Sequence, residues 1–335
     1  MIPVNVNIRL VALIAALSLL QFVVIPLALL PISDHFGWLL LLAVIATPTH
    51  WSLIHEAIHG NLLPGRRLNG TGGRALAVAF GSPFQLLRFG HLMHHRFNRT
   101  PIQRSDVSAN AERPGVRESA WYYFLITIGL YLFEAAAALF ALSPRRFLEK
   151  LVIRAFGEET PDGRTMAPMA RKQLLEAPGL NRLRLDGLLI CVLFGLGFWL
   201  YGAHWWMLAA AIAARGVLVS LLDNAYHYGN ELEDAHAGYN LSLPKALQSA
   251  FLNFNLHEVH HQHPRAPWSE LPKLFGQSQG AYHGSMLRAV FRQFLGLIPE
   301  RIAAKGGADL RKRSPKTRKT SVAAARTAAP ATSAP

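Results

Sequence analysis

The chain has 335 residues; 51% are apolar and only 16% are charged, against about 25% charged residues in typical soluble domains. This balance favours an integral membrane protein, and the net charge of +14 then indicates Lys and Arg at the cytoplasmic face. The single cysteine, Cys191, excludes a disulfide framework and a cysteine-ligated iron–sulfur cluster within this chain. No aromatic-basic or zinc-finger pattern accompanies the basic charge, so nucleic acid is not an expected partner, and only the C-terminal tail leaves that alternative open.

Two apolar stretches near the N-terminus predict a helical hairpin in the membrane. Residues 10–30 are almost wholly apolar, and about 21 helical residues at roughly 1.5 Å each cover the ~30 Å hydrocarbon core. The run is longer than the apolar part of a signal peptide and lacks a cleavage site, so we expect a retained span. Residues 37–53 predict the second span, which returns the chain to its starting side.

Three histidine motifs are the strongest signal in the sequence. They are His55-Glu56-Ala57-Ile58-His59, His91-Leu92-Met93-His94-His95 and His257-Glu258-Val259-His260-His261. Residues three and four apart share a helical face, so each motif aims its rings at one point. Two H-x-x-H-H motifs would arise by chance in only about one in two thousand such chains. A tetrahedral zinc ion takes four ligands, so eight imidazoles are too many for one such ion and suit two metal ions. Among the metals that imidazole favours, iron also performs oxygen chemistry.

The segments between the second and third motifs predict a second hairpin, with spans at 185–201 and 205–222. The preceding loop, 143–185, carries nine Lys or Arg residues and is expected in the cytoplasm. If the apolar run 121–142 crossed the membrane once, the second and third histidine motifs would lie on opposite sides of it. We therefore expect it to lie in the interface or to double back. Residues 75–87 are too short to span and predict an interfacial or re-entrant segment.

Further polar residues are candidates for the same site. His227 directly follows the second hairpin and is a candidate ninth ligand. Asp223, four residues earlier on the same face, is positioned to orient His227 or to hold a metal-bound water. Asp106 is a candidate acceptor for a metal-bound imidazole; a helix cap or an ion pair with Arg104 is an equal alternative. Three histidines lie outside the expected ligand faces: His50, His204 and His263.

The order of hairpin, two motifs, basic loop, hairpin and third motif resembles the membrane fatty acid desaturase family, a branch of the integral-membrane histidine-box di-iron proteins. His-Glu-Ala-Ile-His-Gly, the Arg-Phe-Asn-Arg-Thr-Pro after the second motif and the Gln-His-Pro after the third are similar to bacterial acyl desaturases. The resemblance covers most of residues 10–300. It implies an all-α integral membrane protein with two transmembrane helical hairpins and a cytosolic, histidine-rich helical cap.

The resemblance also implies a reaction in lipid metabolism, with two iron ions, dioxygen as co-substrate and a fatty acyl chain as substrate. The metal ligands that it implies are His55, His59, His91, His94, His95, His257, His260 and His261. His227 matches a further histidine that some desaturases use. In those, an Asn four residues before it contacts a metal through water; here that position is Asp223, with Asn224 next to it.

The electrons for such a reaction are expected from a separate protein. The chain has neither a heme-binding His-Pro-Gly-Gly nor a ferredoxin cysteine pattern. A basic cytosolic surface suits an acidic ferredoxin or a cytochrome b5-like donor. The resemblance to bacterial enzymes implies the bacterial inner membrane, with the histidine motifs on the cytoplasmic side.

Three alternative functions fit parts of the sequence. The same metal centre is compatible with a hydroxylase or a carotenoid ketolase. His55-Glu56-x-x-His59 also matches a membrane zinc metalloprotease with Glu56 as general base, although this leaves most of the histidines unexplained. A metal or heme carrier in the bilayer is the third alternative. In each case we expect a membrane-embedded domain at 1–302 and a disordered basic tail at 303–335, whose composition cannot bury a core.

Overall fold

The protein, described by a computed structural model over residues 1–108, 113–157 and 160–304, is mostly helical. Its α-helices within these ranges are α1 Val4–Leu19, α2 Leu40–Ile45, α3 Thr47–His59, α4 Arg66–Phe80, α5 Phe84–Phe97, α6 Val116–Phe124, α7 Leu130–Phe140, α8 Arg145–Phe156, α9 Pro161–Ala170, α10 Gly179–Tyr201, α11 Trp205–Ala225, α12 Lys245–Ala250, α13 His257–Gln262, α14 Leu271–Gln277, α15 Met286–Arg292 and α16 Glu300–Ala303.

Short π-helical and 3₁₀ segments extend or connect these helices. The π-helical segments are Leu20–Leu29, Leu125–Gly129 and Arg171–Leu175, and the 3₁₀ segments are Asp34–Leu39, Pro101–Gln103, Gly202–His204 and Gln293–Leu295. The described strands have two residues each: β1 Val107–Ser108, β2 Leu241–Ser242, β3 Gly284–Ser285 and β4 Ile298–Pro299. β1 pairs in parallel with β4, and β2 with β3, so these strands fasten loops together and form no sheet core.

Apolar helices long enough to cross a membrane indicate that the protein is integrated into one. In the part of the chain that the structure describes, three helical runs qualify by length and hydropathy: Val4–Leu29, Val116–Phe140 and Gly179–Ala225. A fourth span exists if Asp34–Ile45 and Thr47–His59, which meet at a bend of 41°, count together. The expectation of a mostly helical membrane protein is therefore confirmed.

The apolar run 121–142 corrects one detail of the sequence analysis. It belongs to a continuous helical run, Val116–Phe140, in which the π-helical turn Leu125–Gly129 joins α6 to α7. The alternative that it doubles back is wrong, because helical hydrogen bonding continues through that turn. The alternative that it lies in the interface stays a prediction. Residues 75–87 form the end of α4, a turn at Gly81 and the start of α5.

The connection between the first two apolar helices contacts the connection between α10 and α11. His204 Nε2 lies 3.0 Å from Asp34 Oδ1. A Cβ placed on Gly37 would lie 2.5 Å from the sulfur of Met207. Both connections therefore lie at one end of the bundle, and α3 and α11 run from there towards the histidines. His204 is at the far end, as the sequence predicted.

Two local features hold the helices that carry the first two histidine motifs. Gly60, with φ of +86°, ends α3 directly after His59 in a backbone conformation that a residue with a Cβ adopts only with strain. Asp186 of α10 pairs with Arg74 of α4 and accepts a hydrogen bond of 2.8 Å from the backbone N–H of Gln85, in the first turn of α5. The second motif is thereby anchored to the apolar helices.

The predicted basic tail, 303–335, lies outside the described residues except for 303–304. Ala303 ends α16 and is buried, and Glu300 of the same helix pairs with Arg104 at 2.6 Å. Helix α16 thus packs against the main body. The domain boundary at 302 and the disorder of the tail stay predictions.

Candidate metal centre

Four parts of the chain bring histidines to one place. Helix α3 carries the first motif, α5 the second and α13 the third, while His227 follows α11 directly. Their Nε2 atoms converge in two sets, each with its ligand atoms within 4.8 Å of one another. We call them the five-histidine group, consisting of His55, His59, His91, His95 and His260, and the four-histidine group, consisting of His94, His227, His257 and His261.

In the five-histidine group, the Nε2 atoms form a nearly continuous ring of short contacts. His260 Nε2 lies 3.0 Å from His55 Nε2 and 2.9 Å from His95 Nε2. His91 Nε2 lies 3.0 Å from His95 Nε2 and 2.9 Å from His59 Nε2. Helices α3, α5 and α13 each contribute, so this arrangement exists only when all three pack together.

In the four-histidine group, the Nε2 atoms form a closed cycle. The contacts are His94 to His227 at 3.1 Å, His227 to His257 at 2.8 Å, His257 to His261 at 3.1 Å and His261 to His94 at 3.2 Å. The ring of Tyr226 stacks on His257 with centroids 4.5 Å apart. This group draws on α5, α13 and the turn after α11.

The second and third motifs are each divided between the two groups. His91 and His95, four residues apart, belong to the five-histidine group, whereas His94 belongs to the other. In the third motif the division is reversed, because His257 and His261 share the four-histidine group and His260 does not. Residues four apart lie closest to the same helical face, and the residue between them turns aside. An H-x-x-H-H motif is therefore suited to lie between two metal ions.

The spacing of the nitrogens tests whether metal ions fit. Metal–nitrogen bonds of about 2.1 Å at right angles would place neighbouring nitrogens about 3.0 Å apart, whereas tetrahedral angles would place them about 3.4 Å apart. The observed Nε2 contacts span 2.8 to 3.2 Å. These short contacts match the spacing expected around an ion of higher coordination number, and both groups could hold a metal ion.

Burial keeps these imidazoles neutral, as metal binding requires. Burial lowers the pKa of His94 to about 4, and burial together with neighbouring imidazoles lowers the pKa of His227 and of His261 well below 6.5. The same causes lower the pKa values of His91, His95, His257 and His260. A neutral imidazole has a lone pair to donate, so at neutral pH the site presents ligands rather than cations.

The comparison with known families agrees with this geometry. The sequence model of the family described as "Fatty acid desaturase" matches residues 33–291, which contain both histidine groups. The chain belongs to the fatty acid desaturase family. Neither a protein of curated function nor a solved structure matches it. Membership of this family implies an oxidoreductase with desaturase or oxygenase chemistry. Two groups of neutral imidazoles, which could hold metal ions, are consistent with that chemistry.

Backbone and side-chain acceptors orient two imidazoles of this desaturase-family site. His261 Nδ1 lies 3.0 Å from the carbonyl oxygen of Ala235. A carbonyl only accepts, so Nδ1 carries the proton and Nε2 keeps its lone pair for a metal. The side chain of Gln103 hydrogen-bonds His94. The sequence analysis missed both partners, because a carbonyl leaves no trace in the sequence and Gln103 lies on a separate turn.

Asp106 does not hold an imidazole of the desaturase-family site, and its partner is not Arg104. Its carboxylate pairs with the buried guanidinium of Arg99, at 2.6 Å and 3.1 Å, and accepts a 2.7 Å hydrogen bond from the N–H of Gly229. Arg104 pairs with Glu300 instead. Because Gly229 lies two residues after His227, the Arg99–Asp106 pair supports the turn that presents this histidine.

Asn224 does not contact the histidines, and Asp223 does not orient His227; that Asp223 holds a metal-bound water stays a prediction. Asn224 donates to Gln293 Oε1 at 2.9 Å and accepts from Ser105 at 3.3 Å, so its amide faces away from the histidines. Asp223 lines a cavity together with Glu134. His227 Nδ1 is buried and has no hydrogen-bond partner within the described residues, so Asp223 does not orient it there.

His50 and His263 lie outside both imidazole groups, and the position of Glu56 tests the zinc-protease alternative. His50 is buried and donates from Nε2 to the carbonyl of Leu76 at 2.9 Å, as expected for a structural histidine. His263 is exposed and belongs to neither group. Glu56 accepts from the N–H of Trp268 at 3.1 Å and lies 3.7 Å from Nδ1 of His55, behind the ring rather than beside Nε2. A general base needs the opposite position, so this geometry disfavours a protease.

Proposed function

We propose that the protein is a di-iron, dioxygen-dependent desaturase that introduces a double bond into a fatty acyl chain. The observation that carries the proposal is the pair of adjoining imidazole groups, nine buried or half-buried side chains with no carboxylate among them. The family match supports the reaction class, and the 2.8 to 3.2 Å spacing of the nitrogens supports iron over zinc.

In this proposal each imidazole group holds one iron ion, and dioxygen is the co-substrate. Bound iron would supply the oxidant for an unactivated C–H bond, which no side-chain acid or base can break. The net reaction consumes dioxygen, two electrons, two protons and two vicinal hydrogens of the acyl chain, and it yields an alkene and two waters. The chain's own residues contribute ligands, exclude water through burial and aim the substrate.

We propose that the acyl chain enters a cavity beside the five-histidine group. The cavity is lined largely by apolar side chains of α3, α7 and α11, including Trp51, Leu130 and Leu222. Phe254 lies in its wall and contacts the ring of His55 with centroids 4.6 Å apart. Phe254 therefore stands between this cavity and the His55 ring, and the cavity marks the side from which we propose that the acyl chain approaches the imidazoles.

The membrane arrangement in this proposal has two hairpins in the bacterial inner membrane. The Asp34–His204 contact supports it, because both connecting segments lie at the end of the bundle away from the histidines. The loop 143–185 carries nine Lys or Arg residues, which favours a cytoplasmic location for it and for the histidine-rich cap. A separate ferredoxin or cytochrome b5-like protein would deliver electrons to this basic face.

Product and metal analysis of one preparation test the proposal. The protein would be expressed in a host with a simple lipid profile, purified in detergent and assayed for iron and zinc. We expect two iron ions per chain and new double bonds in acyl chains, located by mass spectrometry. A preparation that holds a single zinc ion, or cells that accumulate only hydroxylated or keto products, would contradict the proposal.

A further inference from the structure

A buried arginine inside the apolar helix bundle has no acidic partner. Arg215 lies in α11 and is only 4% exposed. Its guanidinium donates to the carbonyl of Phe80 at 3.3 Å and to Oε1 of Gln21 at 3.2 Å, and it lies 5.2 Å from the centroid of the Phe80 ring. No carboxylate within 1–108, 113–157 or 160–304 comes within ion-pair distance of it. The positive charge is thus balanced only by dipoles.

Two N–H groups beside this charge lack acceptors. Arg215 Nε and Gln21 Nε2 are both buried and have no hydrogen-bond partner in the described part of the chain. Both residues line one small cavity, and Gln21 is 2% exposed. The other walls are polar at Ser18 and His50 and otherwise apolar: Ile14, Leu17, Ala43 and Ala46. His50 Nε2 is already engaged by the carbonyl of Leu76, and the hydroxyl of Ser18 donates to the carbonyl of Ile14.

An anion would accept hydrogen bonds from both unpaired N–H groups, of Arg215 and Gln21, and would also balance the positive charge. A buried cation without a counter-charge is costly in an apolar interior, and each unpaired buried donor adds to that cost. A neutral water molecule could accept from the two donors but would leave the charge uncompensated. The cavity has room for about one small sphere, which excludes a carboxylate with its chain or a phosphate. The cavity therefore suits a small anion with a single negative charge that accepts hydrogen bonds.

We propose that this cavity binds a halide ion, chloride under physiological conditions, held by the Nε–H of Arg215 and the amide N–H of Gln21. Gln21 lies in the first apolar helix, His50 in α3 and Arg215 in α11. Helix α3 carries His55 and His59, and α11 leads directly to His227. The ion would thus link the first apolar helix to α11 beside the wall formed by α3, and α3 and α11 deliver ligands to different imidazole groups.

Thermal unfolding at constant ionic strength tests the proposal without any assay of metal or activity. Purified protein would be unfolded in potassium gluconate in which chloride or bromide replaces gluconate stepwise. We expect a saturable rise in the unfolding midpoint, on the order of 2–4 °C at tenfold excess of halide over its dissociation constant. Arg215→Met and Gln21→Leu should abolish or weaken this response. Arg104→Met, which removes an arginine already paired with a carboxylate, is the matched control and should keep it.

Bromide also locates the site in the unaltered protein. Crystals grown in bromide should show an anomalous peak beside Arg215 Nε and Gln21 Nε2, whether or not the Arg215 variant folds. An unfolding midpoint that is the same in gluconate and chloride would overturn the proposal, as would an equal response of wild type and Gln21→Leu together with a bromide peak elsewhere. Because these readouts do not involve iron or acyl products, their failure would leave the proposed desaturase function untouched.

Discussion

The imidazole rings of His95 and His261 lie with their centroids 4.4 Å apart, although one ring belongs to the five-histidine group and the other to the four-histidine group. The two groups therefore adjoin rather than form independent sites. His95 also contacts His260 at 2.9 Å, so a short path of ring contacts runs through the α5–α13 interface. Two ions held there would be neighbours, which suits a reaction at one substrate position.

Removing a ligand from either group should lower the iron content, whereas removing a nearby histidine outside the groups should not. We expect His260→Ala and His257→Ala each to lose at least half of the iron per chain, because each takes one nitrogen from a set that a metal would share. His263→Ala, in an exposed residue just after the same helix, is the control. Iron per chain would be measured by plasma emission spectroscopy. Equal losses in all three variants would mean that α13 unfolds rather than that ligands are lost.

Asp106→Asn should destabilise the protein strongly, because it leaves the Arg99 guanidinium buried without its counter-charge. Both side chains of this pair are 1% exposed. Breaking one side of such a pair costs about 3–5 kcal/mol in the free energy of unfolding. Glu300→Gln breaks the more exposed pair with Arg104 and should cost under about 1 kcal/mol. Thermal unfolding of the two variants compares them, and equal midpoints would contradict the structural role of Asp106.

Glu56→Gln should leave most of the desaturase activity and the iron content intact. The glutamine amide keeps an oxygen that can accept from the N–H of Trp268, and the side chain lies behind the His55 ring. A zinc protease would instead lose its general base and all of its activity. Acyl product analysis and a peptide-hydrolysis assay of the same two preparations distinguish these outcomes. Abolished product formation with unchanged iron would show that Glu56 acts in the chemistry.

Acid should destabilise the metal-free protein. The pKa of His94 is held at about 4 by burial, below its value of about 6.5 in the unfolded chain, so between these values the unfolded state binds more protons. The free energy of unfolding should therefore decline as the pH falls from about 6.5 to about 4. Thermal unfolding of chelator-treated protein at pH 7.5, 6 and 5 measures the decline. A midpoint that rises or stays constant over this range would contradict the burial of neutral imidazoles.

Reduction by an acidic protein donor should slow as salt is raised. The net charge of +14 and the basic loop before α10 favour electrostatic steering of such a donor, and steering weakens as the Debye length falls. We expect at least a severalfold lower rate at several hundred millimolar salt than at about 50 mM. Reduction by dithionite, a small chemical reductant, is the control for effects of salt on the protein itself. A rate with the protein donor that does not depend on salt would exclude this docking mode.

Local periodicity was enough to select the eight histidines of the three motifs, because helical spacing places residues three and four apart on one face. His227 was selected from its position directly after an apolar span and from the family resemblance. Length and apolar composition were enough to predict the long apolar helices near the N-terminus and at 185–222 for a similar reason, since both properties belong to single segments. They did not predict the continuous helix Val116–Phe140, which was judged from the expected topology instead. The structural role of His50 and the remote position of His204 followed from the same local arithmetic.

Only the tertiary structure decided which histidines share a group and which acids support them. Helical spacing within α5 separates His94 from His91 and His95, but which histidines of the other elements join each of them depends on how α3, α5 and α13 pack, and no single segment encodes that packing. Asp106 pairs with Arg99 rather than with an imidazole, and Arg99 has a left-handed φ of +64° just after α5 that the sequence does not indicate. Helical spacing fixes directions within one element, whereas contacts between elements depend on packing that brings distant residues together.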